Sequence, residues 1–357
     1  MPPKPRLKVN KPLPKRWRHR HGAYYYCVPK KVRHLWDNRT EFRLGSTLSE
    51  AYKVWAERLE LEHTDIANMS DLMDRYLLEV APTKSFKSQE SNQHAISKLR
   101  PAFGAMLAEH IKPKHAYQYY HYAAKERGPT TAKHDIQTLR HILSMAVVWG
   151  VIDVNPLIGQ LRLPSAKPRD RLVEDWEVAE ALSAASPLVS CYVRLKLMTG
   201  LRRGDILRLS LSSIKTDGIH VQPSKTKNSS GKRLIIEFDE GGELEALLSE
   251  IMRLPPRRIG DAPLFVTREG KPYIDTDGRA NAFDSLWSRF MSKVMKKTKV
   301  TDRFQERDLR AKVASDSDTL EEASARLSHS STAITDRVYR RKPVKVQPLI
   351  AKKNEEK

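Results

Sequence analysis

Four short stretches in the C-terminal half put cations and one phenol at spacings that could act on a phosphodiester. "TGLRRGDILRL" sets Arg202 just past a helix-ending glycine, with Asp205 three residues on. "SKTKNSSGKR" sets Lys225 on a turn-rich loop between two strand-like runs. "ERDLRAKVA" places Arg307 and Arg310 three apart, on one face of a helical turn. "LSHSSTAITDRVYRRKP" (Leu327–Pro343) adds His329 and, ten positions later, Tyr339. Singly, such residues are most often surface charges, helix caps or solvated faces; only the joint set carries weight. The chemistry that needs the set is metal-free attack on a phosphodiester. Its transition state is a pentacoordinate phosphorus with extra negative charge on the non-bridging oxygens. Guanidinium forks suit those oxygens because they are planar, bidentate and always charged. Donors fixed in advance toward developing charge are usually the largest catalytic term. A tyrosine hydroxyl, with a pKa of about 10, becomes a nucleophile only when positioned and deprotonated. The departing 5′-oxygen needs a proton, which a lysine can supply.

These residues must be held by a mostly helical block running from about residue 172 to the end. "VEDWEVAEALSAAS" and "LVSCYVRLKLMTG" read as helices, the second buried and stopped at Gly200; "LRRGDILRLSLSSI" reads as another. "GIHVQPSKTKNSSGKRLIIEF" reads as a β-hairpin, and further helices are expected over 243–252, 279–298, 309–327 and 333–340. Upstream, residues 66–163 read as all-helical. The helices are "MSDLMDRYLLEV" with Ser70 as cap, "SFKSQESNQHAISKLRPAFG" closed by Gly104, "KPKHAYQYYHYAAKERG" and "TTAKHDIQTLRHILSMAVVWGVI". "DVNPLIGQLRLPSAKPRDR" is polar and proline-punctuated, as an exposed linker would be; its Arg162, Lys167, Arg169 and Arg171 could track a phosphate backbone.

The first forty residues carry twelve Lys/Arg against one acid, Asp37. Residues 1–15 read as a disordered basic tail. From Trp17 the chain turns to strand formers, in "GAYYYCVP" and in "HLWDNRTEFRLG", the latter a hairpin with Asp37-Asn38 in its turn. An amphipathic helix follows, with Ser46 as cap and Leu48, Ala51, Tyr52, Trp55 and Leu59 on one face. A sheet with basic and aromatic side chains can lie in a DNA groove. The tyrosines of the run 24–26 serve either the sheet core or that face.

Composition narrows the field. The chain has 357 residues, 39% of them hydrophobic and 30% charged, as expected of a globular protein of two or three domains. The net charge of +21 favours polyanions, nucleic acid first. No apolar run reaches the roughly 18 residues that span a bilayer. The N-terminus lacks the apolar stretch of a secretory signal. Two cysteines, Cys27 and Cys191, exclude a disulfide framework and speak against structural zinc, so a reducing cytoplasmic setting is expected.

At this point the sequence resembles the tyrosine recombinases, in particular the phage-type, lambda-like integrases, in separated places along nearly its whole length. "TGLRRGDIL" resembles the family's first arginine box, with Arg202 as the arginine and Asp205 as its supporting acid. "PSKTKNSSGKR" is similar to the hairpin that carries the lysine, here Lys225. "RDLR" stands where the family has His-x-x-Arg, "LSHSS" where it has Leu-Gly-His-Ser-Ser, and Tyr339 where it has the nucleophile. "GPTTAKHDIQTLRHILSMAVVWGVIDVNP" resembles the helical core-binding domain, and residues 17–62 the arm-type domain. Three positions depart from the pattern: Arg307 replaces the first histidine, Ser328 replaces glycine, and the His-to-Tyr spacing is ten rather than nine. Arginine can only donate, so Arg307 cannot serve as a general base.

The resemblance implies a mostly α fold with small β elements: an N-terminal three-stranded sheet plus helix over 1–63, a helical core-binding domain over 64–163, a linker over 164–172, a mainly α catalytic domain with a β-hairpin over 173–345 and a tail over 346–357. It implies site-specific cutting and rejoining of DNA through a 3′-phosphotyrosine and a Holliday junction. Arg202, Lys225, Arg307, Arg310, His329 and Tyr339 would be catalytic. Arg16, Arg18, Arg20, Lys30, Lys31, Arg33, Lys133, Arg140, Arg162, Lys167 and Arg169 would face DNA. No cofactor and no metal are implied. The partners would be double-stranded attachment sites of core and arm type, three further copies in a homotetramer, a DNA-bending protein and an excision factor, with no membrane, on the bacterial nucleoid. A type IB topoisomerase and a non-catalytic DNA-binding relative are the other two readings.

Overall fold

A computed structural model describes residues 13–14, 16–30, 33, 36–59, 68–164, 167, 169–224, 231, 233–256, 260–329 and 331–343. The chain divides into two compact units, Met1–Ala166 and Lys167–Lys357. Among the described residues no helix is long and apolar enough to cross a membrane.

In the first unit, β1 (Trp17–Arg20), β2 (Ala23–Cys27) and β3 (Glu41–Gly45) form an antiparallel sheet in that order. The β1–β2 register pairs Trp17 with Tyr26 and Arg20 with Ala23. The two residues between them, His21 and Gly22, both take positive φ, 48° and 69°. That is the backbone a two-residue hairpin turn requires, and glycine meets it without strain. Asp37 and Asn38 also sit at positive φ, 51° and 56°, in the longer connection before β3. Among the described residues, the expected 34–45 hairpin gives a single strand, β3, which pairs with β2.

Helix α1 (Leu48–Leu59) covers this sheet. Its cap is Thr47 rather than the expected Ser46: Thr47 Oγ1 accepts from the Glu50 amide, and Glu50 reaches back to the amides of Ser46 and Thr47. This reciprocal pair satisfies donors that a helix start leaves open. Trp17 is fully buried, its ring 4.8 Å from that of Tyr52 and 5.1 Å from that of Trp55. Tyr26 is buried with it, while Tyr25 lies half-buried under the Arg20 guanidinium. The three-tyrosine run thus divides between core and surface.

The remainder of this unit is helical: α2 (Met69–Arg75), α3 (Phe86–Phe103), α4 (Pro113–Arg127) and α5 (Pro129–Val148). Asn68, not the expected Ser70, caps α2, its side chain accepting from the amides of Ser70 and Asp71. After α5, Asn155 donates to Arg140 O and Ser144 Oγ, both at 2.8 Å, and folds the following turn back on the helix. Sheet, α1 and helices share one apolar core, in which Trp17, Trp36, Tyr76, Leu99, Leu139 and Leu143 are buried together.

The second unit is built from α6 (Asp175–Ser183), α7 (Pro187–Thr199), α8 (Arg203–Ile206), the antiparallel sheet β4 (Ile214–Lys215), β5 (Gly218–Val221) and β6 (Leu234–Glu237), then α9 (Glu243–Arg253), α10 (Asn281–Lys297), α11 (Glu306–Asp316), α12 (Leu320–Arg326) and α13 (Thr332–Ile334). Its core gathers aromatic rings of α7 and α10 with Phe265 and Phe304: Tyr192 stands 4.6 Å from Phe283 and 5.6 Å from Phe265. Two helical expectations are corrected. "LRRGDILRLSLSSI" gives one turn, α8, because its serines satisfy the backbone locally; the Ser210 amide, for example, donates to Ser213 Oγ. The span 309–327 is two helices, split at Ser317–Thr319 where Thr319 caps α12 by accepting from the Glu322 amide. Beyond α13 the chain winds into a wider turn, Thr335–Tyr339, closed by the Arg340 amide on Thr335 O.

Candidate active site

Gly200 ends α7 with φ 63°, a left-handed conformation that favours glycine. A Cβ there would lie 3.0 Å from Val313 Cγ1 and 3.1 Å from Leu327 Cδ2. The glycine therefore lets the α7–α8 corner approach α11 and the end of α12. Two residues on, Arg202 opens α8, its carbonyl accepting from the amides of Asp205 and Ile206. Its half-exposed guanidinium has no hydrogen-bond partner among the described residues.

Arg310 projects from the middle of α11 and is 4% exposed. Its Nη1 donates to Gly200 O and its Nη2 to Leu327 O, both at 2.5 Å. Nη2 also stands 3.3 Å from His329 Nε2, and the guanidinium carbon is 5.5 Å from the centre of the Tyr339 ring. Burial, followed by the field of Arg202, pushes the Arg310 pKa down to about 10, which leaves it charged at neutral pH.

His329 follows α12 through Ser328, which takes a positive φ of 49° where the family pattern has glycine. The ring is buried and lies 4.7 Å from the Tyr339 ring, tilted by 43°. Its Nδ1 is 2.8 Å from Thr335 Oγ1. Burial first, then the charges of Arg310 and Arg202, push its pKa down to about 4, so the imidazole is neutral near pH 7. Arginine has only donors, so Nε2 accepts from Arg310 and the ring proton is assigned to Nδ1, pointing at Thr335.

Tyr339 ends the wide turn and packs on Ala314, Ala323 and Leu327. Its carbonyl accepts from Ser315 Oγ at 3.1 Å. Two residues on, the Arg341 amide donates to the same Ser315 Oγ at 2.8 Å. The Arg341 guanidinium then reaches Asp308 Oδ1 at 2.9 Å and Arg171 O at 2.5 Å. The segment carrying Tyr339 is thus held by its own unit, on both sides of the ring.

The structure brings together Arg310, His329 and Tyr339, with Arg202 close enough to act on the charges of the first two. Arg307 is exposed on the first turn of α11, one turn before Arg310. Lys225 lies outside the described residues. Asp205, expected to support Arg202, is buried and sends Oδ1 to the amide and hydroxyl of Ser224, at 2.9 and 2.8 Å. It pins Ser224, the residue immediately before Lys225.

The cations expected on DNA are variously placed. Arg16, Arg18, Lys30, Arg140, Arg162 and Lys167 are exposed, and Arg33 is half-buried. Arg20 pairs with Glu41, and Lys133 donates to Pro164 O. Arg169 is committed to Asp308, at 3.0 and 2.9 Å, and Arg171 to Glu177. Lys31 lies outside the described residues.

Sequence reasoning missed Asp308, Thr335, Arg341, Lys196 and Glu306. One signal was present: Lys196 interrupts the apolar run of α7, and a lysine inside a buried helix demands a partner.

No protein-family model matches the chain. A Haemophilus influenzae protein bearing the name integrase/recombinase is 24% identical over 225 residues, covering 57% of this chain and 61% of that protein. The integrase of Enterobacteria phage P21 is 25% identical over 195 residues, covering 53% of this chain and 45% of that protein. The matches therefore span about half to three fifths of these relatives. A lambda integrase dimer bound to a COC′ core site superposes with a TM-score of 0.62 at 18% identity, over 95% of this chain and 99% of that one. A lambda integrase tetramer bound to a Holliday junction gives 0.63 at 19%, again over 95% and 99%. The Tn1549 transposon integrase in complex with transposon right end DNA gives 0.51 at 16%, over 81% and 93%. The chain has the fold of lambda integrase, and in sequence it is similar to proteins that bear the names integrase and integrase/recombinase.

Proposed function

We propose that this protein is a site-specific DNA recombinase that cuts and rejoins strands through Tyr339. One observation carries the reading: the Tyr339 ring lies against a neutral His329 and a buried, charged Arg310 in a single side-chain cluster. A phosphate there would find the Arg310 and Arg202 guanidinium groups, with Arg307 at the rim of α11. The Tyr339 oxygen attacks phosphorus, a P–O(Tyr) bond forms and the P–O5′ bond breaks. The tyrosine proton passes to water or to His329. Lys225 protonates the leaving 5′-oxygen. The 3′-phosphotyrosine keeps the energy of the original ester, and attack by a 5′-hydroxyl from a second site reverses the step with the strand exchanged. Arg307 stabilises charge and takes no proton.

Four copies on two attachment sites would pass through a Holliday junction, as the tetrameric lambda integrase structure supports by likeness of fold. Residues 1–63 would hold arm-type sites, and residues 64–163 with 173–345 would hold the core site. A DNA-bending protein and an excision factor complete the reaction, which inserts or removes a phage or other mobile element in the host nucleoid.

The test is covalent trapping. Wild type and Tyr339→Phe are mixed with nicked suicide duplexes drawn from the element's flanking DNA, without metal, and quenched in detergent. A covalent protein–DNA band, absent with Tyr339→Phe, is the expected result. Binding without any covalent band, in a folded protein, would overturn the reading.

A further inference from the structure

A largely buried charge pair between α7 and α11 takes no part in the chemistry above. Lys196, on α7, is 1% exposed, and its Nζ bonds Glu306 Oε1 at 2.7 Å. The same ammonium donates to Leu201 O at 2.7 Å. Glu306 is the first residue of α11 and also accepts from the Tyr192 hydroxyl at 2.7 Å. Burying two charges is costly, and an apolar pair of similar volume often serves stability as well or better. What distinguishes this pair is the group it holds.

Leu201 O belongs to the residue before Arg202. The carbonyl before that, Gly200 O, is held by Arg310. Two consecutive carbonyls leading into Arg202 are therefore each fixed by a buried cation, and both cations are tied to α11. Arg310 belongs to that helix, and Lys196 is bound to its first residue. Arg202 and Arg310 would act on the same phosphate, and the ties through Gly200 O and Leu201 O set the distance between the elements that carry them. Lys196 itself is enclosed between α7, the corner and α11, so it does not reach DNA.

We propose that Lys196 and Glu306 are positioning residues that hold Arg202 in register with Arg310 for attack at the scissile phosphate. The proposal rests on the recombinase reading. Loss of Lys196 frees the Leu201 carbonyl, and the Arg202 guanidinium shifts away from the phosphate. Burial and the neighbouring Arg310 and Arg203 lower the Lys196 pKa while Glu306 opposes them, in keeping with a pair whose two charges depend on each other.

The test uses the full chain and a nicked suicide duplex, and measures the rate of covalent complex formation, DNA affinity and thermal midpoint. The variants are Lys196→Met, Glu306→Gln, their combination, and each in an Arg202→Ala background. The combined variant keeps a neutral, similarly sized core and serves where Lys196→Met alone does not fold. For the combined variant the expected result is a midpoint and an affinity close to wild type with cleavage slowed about a hundredfold, the scale of an ångström misplacement in a catalytic group. In the Arg202→Ala background the further change slows cleavage no more. On a duplex whose scissile phosphate is a neutral methylphosphonate, the Lys196 and Arg202 defects shrink together, which a defect of folding would not do. Cleavage by the folded combined variant at the wild-type rate overturns the proposal, as does full multiplication of its defect with that of Arg202→Ala. Wild type that forms no covalent product overturns the recombinase reading and this inference with it; wild type that cleaves beside a variant that cleaves equally overturns the inference alone.

Discussion

Asp308→Asn is the substitution that most directly tests how the Tyr339 segment is held. Asp308 is completely buried, and its carboxylate accepts from Arg169 at 2.9 and 3.0 Å, Arg341 at 2.9 Å and the Gln305 amide at 2.8 Å. Arg341 is the residue that, with Ser315, fastens the chain just beyond Tyr339. Asparagine keeps the shape, but it removes the charge and turns one acceptor into a donor facing arginine. Breaking a buried pair from one side costs about 3–5 kcal/mol. Arg169 is one-third exposed and turns toward water, which puts the loss at the lower end, about 3 kcal/mol. In a unit running from Lys167 to Lys357, each kcal/mol moves the midpoint by about 2–4 °C, so a fall of about 6–12 °C is expected. At 25 °C, where the variant is still folded, covalent trapping should drop about tenfold or more through misplacement of the tyrosine. Arg341→Met, which leaves Asp308 its bond to Arg169, should reproduce the cleavage defect with a smaller loss of stability. A shift below about 2 °C with unchanged trapping would refute the role given to Asp308.

Two further outcomes follow from the same cluster and its glycine corner. The folded His329 pKa of about 4 lies below the unfolded value of about 6.5, so the unfolded chain binds the proton first; the contribution is complete above about pH 6.5, is lost as the pH falls toward 4, and amounts to about 3 kcal/mol. Urea midpoints of His329→Asn should therefore vary less between pH 6.5 and 4 than those of wild type, and equal slopes would contradict the neutral, buried imidazole. Gly200→Ala forces a side chain into a left-handed backbone and against Val313 and Leu327, so a loss of at least about 1–2 kcal/mol is expected by denaturant titration, with cleavage reduced in step; a neutral result would mean the corner relaxes freely.

The parts of this fold that were legible in the sequence are those set by local pattern. α4, α5, α7 and the β5–β6 hairpin follow from periodicity and from glycine or proline punctuation, because their stop signals and apolar faces agree. The misread parts are those where short polar side chains compete for backbone bonds. Ser70 and Asn68 are both good caps, and it is the Asn68 side chain that takes the Ser70 and Asp71 amides. The serines after Ile206 and the Asp-Ser-Asp-Thr run after Ala314 read as helix until their side chains are seen taking backbone donors. In the site, residue types and short spacings pointed to Arg202, Arg310, His329 and Tyr339. The groups that hold them escaped, since Asp308 meets Arg341 and Arg169 across 33 and 139 positions, separations that periodicity cannot encode.

The geometry also bears on why arginine is tolerable at position 307. A general base at this position would need to approach the Tyr339 hydroxyl, yet His329 already lies against that ring, neutral, with its Nε2 toward Arg310. On the proposed reading Arg307, exposed one turn before Arg310, adds positive charge and removes no proton. Arg307→Ala should then slow covalent trapping about tenfold to a hundredfold while changing stability by less than about 0.5 kcal/mol, as befits an exposed side chain. Arg307→His separates the two roles by pH. An exposed imidazole titrates near 6.5, so a cationic role predicts that this variant recovers activity relative to wild type as the pH is lowered from about 8 to 6. Trapping is run under single-turnover conditions, with DNA affinity measured at each pH to remove effects on binding. A variant that gains on wild type as the pH rises, where its imidazole is neutral, would show that position 307 accepts a proton, and the division of labour between His329 and Arg307 would be wrong.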